Sequence, residues 1–353
     1  MENYFGTTHK EDFVQFHRDS CIDSNKMPIL PFLRLASHFT KPNRSNTFNL
    51  FPLLSFSTTT AAASEHHHSP PPIRVALTHS SGRGVFATRP IATGDLIHTA
   101  KPALCHPSLS AIDTVCYSCL RKVPISSKFQ YQGVSFCSQD CKRRCNEFYD
   151  VEMKANWMAF DDYCRTHGLK YPFLVKRLAC MVISGVSKSD SLDILQPANL
   201  TSDMILEMEE EFALLKNAFR ETSIADEHIA FLTKQWYISV LVRIRINAFR
   251  IELVGGLYED LLSSAVASVE AEAAVGNAVY ILPSLYNHDC DPNAHIIWID
   301  NADAKIKALR DIDEGEELRI CYIDASMDRD ARQEILFQGF GFQCNCSRCL
   351  QGD

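Results

Sequence analysis

Apolar residues keep one spacing at the two ends of the folded part of this chain and another in the middle. Between residues 73 and 100, Val75, Val85, Phe86 and Ile91 fall in short runs broken by Gly-containing turns, with Gly94 ahead of Leu96 and Ile97. That is a strand pattern. From about residue 146 to 249 the spacing turns helical: Met204, Ile205, Met208, Phe212, Leu215 and Phe219 share one face, and Glu207, Glu209, Glu210 and Lys216 lie elsewhere. The stretch "VLVRIRINAF" at 240–249 alternates apolar with basic residues and fits a strand or a helix. Short runs return after residue 279. There "AHIIWIDNADAKIKALRDIDEGEELRICYID" predicts a hairpin turning at Asn301, Ala302 and Asp303, a second turn at Glu314 and Gly315, and a strand ending at Cys321 and Tyr322. The expected class is α+β, with a helical layer inserted into a β fold.

Residues 1–72 carry neither period. From Met27 to Ala63 there are Arg34, Lys41 and Arg44, many Ser and Thr, and no Asp or Glu. This is the composition of an organelle transit peptide, with Met27 as an alternative start; an unstructured tail with no address is the other reading. His66, His67 and His68, ahead of a proline run, read as a solvated linker.

Composition narrows the function. With 353 residues, 46% hydrophobic and 22% charged, the chain has room for two or three domains with a sizeable core. No run reaches the roughly 18–20 apolar residues of a membrane-spanning helix, so no membrane role is expected. A formal charge of −8 argues against the broad basic face that phosphate-backbone binding needs, so no direct nucleic-acid contact is expected.

The fourteen cysteines are bunched in short-range pairs, which is metal-ligand spacing rather than a disulfide framework. Cys116 and Cys119 form a CxxC knuckle. If a helix starts near Ser135, Cys137 and Cys141 point to one side of it and complete a tetrahedral zinc site, with Cys145 as the rival ligand. Cys344, Cys346 and Cys349 supply three thiolates near the C-terminus, and Cys290 is the best fourth, clamping the tail onto a distant loop. Cys21, Cys105, Cys164, Cys180 and Cys321, with Cys145, read mainly as buried small hydrophobes.

Taken in order, "SGRGVFATRPIATGDLI", "NHDCDPN", "EGEELRICYID" and "FQCNCSRC" resemble the SET-domain protein-lysine methyltransferases. The cysteine cluster and helical layer between the first two pieces make the chain most similar to the SMYD branch, in which a MYND-type zinc finger is inserted into the SET domain, and to the plant trithorax-related proteins within it. The resemblance covers roughly residues 73–351. It implies SET segments at 73–115 and 250–325, a reduced MYND-like finger at 116–145, a helical insertion at 146–249, a post-SET zinc tail at 326–353, and small twisted sheets with a pseudoknot.

The implied activity is transfer of a methyl group from S-adenosylmethionine to a deprotonated lysine of a protein, with histone the leading substrate. A non-catalytic interaction scaffold and an organellar non-histone methyltransferase are the alternatives. The resemblance assigns Gly82, Arg83 and Gly84 to the first wall of the cofactor pocket, the glycines letting backbone approach the ligand. It assigns Asn287, His288 and Asn247 to cofactor contacts, Phe342 to the adenine face, and Tyr322 to catalysis. Two Zn2+ ions, a monomeric state and residence in the nucleus complete the expectation, with mitochondrion or plastid as the alternative from the N-terminal composition. Two departures stand out: the second MYND zinc site is missing, both its CxxC and its trailing His and Cys, and Asp289 stands where the family usually has serine.

Overall fold

The computed structural model describes residues 70–124, 129–131, 133–220, 222–254 and 274–353. The transit-like segment, Met27, the His66–His68 tract and Cys21 lie outside the described residues.

The first strands, β1 (Ile73–Leu77) and β2 (Arg83–Ala87), pair antiparallel across a turn in which Gly82 adopts φ +72°, a conformation that favours glycine. They are followed by β3 (Leu96–Ala100) and β4 (Leu104–Pro107). A two-stranded ribbon, β5 (Phe129–Tyr131) and β6 (Val134–Phe136), then leads into α1 (Gln139–Lys154). The helix expected near Ser135 starts four residues later. Val134, Ser135 and Phe136 are buried as a strand against β5, and the Ser138 hydroxyl caps the helix by accepting from the Cys141 N–H at 3.1 Å. Cys137 therefore precedes the helix and only Cys141 lies on it.

The helical layer continues with α2 (Met158–Thr166), α3 (Tyr171–Ile183), α4 (Ser202–Ala218), α5 (Asp226–Ile229) and α6 (Lys234–Asn247). The ambiguous 240–249 stretch divides: Tyr237, Val240, Leu241 and Ile244 bury one face of α6, and β7 (Ala248–Ile251) starts immediately after it. Cys116, Tyr117, Phe136 and Cys141 belong to the same core as Phe148, Leu174, Leu215 and Tyr237, so the first cysteine cluster and the helices are packed as one unit.

The expected α4 face is buried at Met208, Leu215 and Phe219, and it also carries a buried acid that hydrophobic spacing does not reveal. Glu211 accepts a 2.6 Å hydrogen bond from the Tyr237 hydroxyl, and burial raises its carboxyl from 4.5 to about 7. Because the folded-state value lies above the unfolded one, the folded protein holds the extra proton between these values, and stability falls as pH rises through that window. Glu211→Gln keeps an acceptor for Tyr237 and removes the charge. Thermal unfolding should find the variant gaining roughly 3 kcal/mol on the native chain between pH 4.5 and pH 8; a difference independent of pH would contradict this account.

The second β region closes the fold. β8 (Gly276–Val279) lies between β4 and β7; β10 (Ala294–Ile297) and β11 (Ala304–Ala308) form the expected hairpin, and β11 continues onto β3. Gly315, in the second expected turn, has φ +83°. In the four-stranded sheet, β12 (Glu317–Ile320) pairs antiparallel with β2 and parallel with the two-residue β9 (Asn287–His288). A second core lies among these sheets, built on Val85, Ile97, Tyr280, Tyr286, Ile306 and Leu318. Beyond it, α7 (Arg329–Phe340), capped by Asp328, and α8 (Ser347–Gln351) pack around Cys290, Cys344, Cys346 and Cys349. Among the described residues no helix is long and apolar enough to cross a membrane.

Candidate active site

Parallel pairing of β9 with β12 sets Asn287 beside Arg319 and His288 beside Ile320, and β2 closes the other side of β12. The Asn287 amide nitrogen donates to the Arg83 carbonyl at 3.1 Å and to Glu317 Oε1 at 2.7 Å. Gly84 makes room for this pair: a Cβ there would stand 2.6 Å from Glu317 Oε1 and 3.1 Å from Asn287 Nδ2. The space above that glycine is thus filled by the protein's own side chains, not kept open for a ligand. The Arg83 side chain turns the other way and donates to the Ile194 carbonyl.

His288 links this sheet to the tail. Its Nδ1 accepts the backbone N–H of Tyr322 at 3.1 Å, so the ring proton sits on Nε2 and is donated to Cys290 Sγ at 3.3 Å. Burial holds the ring neutral, lowering its pKa to about 4. The Tyr322 ring lies 5.3 Å from His288, 5.0 Å from Phe340 and 6.4 Å from Phe342. The Tyr322 hydroxyl donates to the Tyr286 carbonyl at 2.5 Å, and burial pushes its pKa well above the ordinary tyrosine value. It stays protonated at neutral pH, with its remaining oxygen lone pairs free to accept. Tyr286 is itself buried, its hydroxyl 2.9 Å from His98 Nε2.

Both cysteine clusters are assembled. The sulfurs of Cys116, Cys119, Cys137 and Cys141 lie within 4.8 Å of one another, as do those of Cys290, Cys344, Cys346 and Cys349. Individual separations of 3.5 and 3.6 Å in the first and 3.6 and 3.9 Å in the second fit a tetrathiolate zinc, whose roughly 2.3 Å bonds put sulfurs about 3.8 Å apart. Four thiolates around a dication leave two negative charges. Arg144 Nη2 donates to Cys141 Sγ at 3.2 Å, and the fully buried Arg332 directs Nη2 at Cys349 Sγ at 3.8 Å. Cys145 is buried but stands outside the first group, which removes it as a ligand.

The SET domain family model matches residues 193–323. The histone-lysine N-methyltransferase ATXR4 of Arabidopsis thaliana is 64% identical over 282 residues, spanning 80% of this chain and 87% of that protein. The chain belongs to the SET-domain family. A SET and MYND domain-containing protein of Dictyostelium discoideum is 24% identical over 273 residues, covering 72% of this chain and 77% of the relative. Histone-lysine N-methyltransferase SMYD3 of Homo sapiens is 24% identical over 282 residues, covering 78% and 61%. The SET match begins at residue 193, yet β2 pairs with β12, so the SET sheet is completed by strands from before the helical layer.

Of the residues singled out in the sequence, Asn287, His288, Tyr322, Phe342 and the backbone of Arg83 and Gly84 converge on β9, β12 and the tail. Asn247, at the end of α6, spends its amide protons on the Gln196 and Arg243 carbonyls, both at 2.8 Å, and makes no hydrogen bond to that group. Several residues escaped sequence reasoning. Phe340 lies nearer Tyr322 than Phe342 does, and the repeat in "FGF" was its only signal. Asn293 is 3% exposed: it donates to the Glu317 carbonyl and to Glu316 and accepts the Arg319 N–H, fastening the loop after β9 to β12. Asp289, the departure from the family pattern, is paired with Arg319 at 3.4 Å, and Arg319 also holds Glu317 at 2.6 Å.

Proposed function

We propose that this chain is an S-adenosylmethionine-dependent protein-lysine N-methyltransferase acting on histone, with zinc in both cysteine clusters. The observation that carries this reading is the position of Tyr322. Its hydroxyl is anchored on the Tyr286 carbonyl, and its ring is walled by neutral His288, Phe340 and Phe342 directly beside the tail cluster.

S-adenosylmethionine, when bound, supplies an electrophilic methyl group on a sulfonium centre. The protein's task is to align an attacking amine with it and to keep that amine neutral. A free lysine has a pKa of roughly 10.4. An aromatic wall containing no cation at neutral pH dehydrates the ammonium form and lowers that value. Tyr322 is no general base, because burial holds it protonated; it accepts a hydrogen bond from the incoming amine and fixes its approach. Asn287 and the Arg83–Gly84 backbone form the opposite side of the site. Cys290 connects that side to the tail, whose Phe342 ring lies 6.0 Å from His288; Cys290, Cys344, Cys346 and Cys349 would hold a zinc ion that keeps the two segments joined.

The 64% identical relative is a histone-lysine methyltransferase, which supports histone as substrate and the nucleus as location; the Met27–Ala63 composition favours an organelle instead. The test of activity is incubation of the full chain with methyl-labelled S-adenosylmethionine and histone octamers, followed by mass spectrometry of modified lysines. Donor binding without methylation of octamers or of extract proteins would indicate a scaffold. A fluorescent protein fused to the C-terminus of the full chain distinguishes the two locations.

A further inference from the structure

Both protons of the Asn287 amide are committed, and both partners are acceptors only: the Arg83 carbonyl and the Glu317 carboxylate. That fixes which way the amide points, since the reversed orientation would set its oxygen against two other oxygens. Asn287 Oδ1 has no partner among the described residues and the residue is half-buried, so the group offered to a ligand is an acceptor. Glu317 is in turn constrained. Its side chain is 12% exposed, and its second oxygen takes two hydrogen bonds from Arg319, at 2.6 and 2.9 Å. Its first oxygen occupies space that a glycine at position 84 leaves open: an ideal Cβ there would lie 2.6 Å from Glu317 Oε1 and 2.8 Å from Thr78 Cγ2. Arg319 also reaches Asp289, so two carboxylates share one guanidinium and the edge of the site keeps a net negative charge.

We propose that Glu317 is a positioning residue: backed by Arg319, it locks the Asn287 amide with its oxygen toward the ligand, so that the site selects a ligand carrying a cationic donor, the α-ammonium of S-adenosylmethionine. This rests on the proposed S-adenosylmethionine reading and adds the residue that enforces it. Replacing Glu317 by glutamine reverses the logic while keeping the shape. Arg319 donates two bonds, so the new amide turns its oxygen to Arg319 and its NH2 to Asn287; Asn287 then satisfies residue 317 and the Arg83 carbonyl together in neither orientation, and its oxygen is no longer locked toward the ligand's ammonium.

The experiment is calorimetric titration of the full chain with S-adenosylmethionine, with S-adenosylhomocysteine, and with the S-adenosylhomocysteine analogue in which hydrogen replaces the α-amino group. Glu317→Gln should weaken the two amine-bearing ligands at least tenfold and the deaminated analogue less than threefold. In the double variant with Asn287→Ala, the loss should be no larger than for Asn287→Ala alone, because Glu317 acts through Asn287. Unchanged affinity for all three ligands, equal weakening of all three, or additive losses would overturn the assignment. Should Glu317→Gln fail to fold, Gly84→Ala displaces the same carboxylate from the other side and is judged by the same ligand pattern. A native chain that binds none of the three overturns the function itself, an outcome distinct from normal binding with an indifferent Glu317.

Discussion

Tyr322→Phe is expected to lower methyl-transfer turnover by about 10²- to 10³-fold, the range seen when one preorganised hydrogen-bonding group is taken from a transition state. The change removes a single oxygen from a ring fixed by His288, Phe340 and Phe342, so packing should survive. The cost falls on the reaction because the hydroxyl proton is committed to the Tyr286 carbonyl, which aims the oxygen lone pairs at the approaching amine. S-adenosylmethionine affinity should change less than threefold by calorimetry. Labelled-methyl transfer at saturating donor reads the turnover, and an undiminished rate would remove Tyr322 from the chemistry.

The second large effect concerns the tail. Cys349→Ser breaks a four-sulfur set that joins Cys290, beside His288, to the last turn of the chain. Structural zinc sites carry about 10–16 kcal/mol of apparent binding free energy, and the tail core is small: among the described residues Leu336 is the only other buried apolar residue grouped with the four cysteines, with Tyr322, Ile323, Phe340 and Phe342 half-buried against them. Hydrogen exchange should show residues 326–353 losing protection. Donor affinity should fall at least tenfold as Phe340 and Phe342 leave Tyr322 and His288, while the helical core keeps its protection. Metal analysis should count one zinc in the variant against two in the native chain. Normal donor affinity after that verified loss would contradict the coupling of metal and site.

Much of this arrangement was legible in the residues because its chemistry is local. CxxC and CxCxxC spacings announce thiolate clusters without knowledge of the fold, and Cys290 was reachable because three sulfurs need a fourth. The hairpin at Asn301–Asp303 and the turn at Gly315 follow from turn chemistry. What could not be read depends on register between distant segments. Nothing near Glu317 says that it will meet Asn287, thirty positions away, or Gly84, because that meeting is made by two different strands pairing with β12. The misplaced start of α1 has a local cause: Ser138 is the better cap, and Val134–Phe136 are claimed by the ribbon with β5. The charge at Asp289 is answered by Arg319 across the parallel pair, a partner that its local sequence does not reveal.

The splitting of the SET sheet has a temporal consequence. A ribosome delivers β2 first, then the whole helical layer, and more than two hundred residues pass before the partner strand at Glu317–Ile320 emerges. Helical contacts are short in sequence and form early, whereas the β2–β12 pairing waits for a long loop to close. The nascent chain therefore carries its scaffold well before its donor-binding groove, which can assemble only after β12 and the tail cysteines have been delivered.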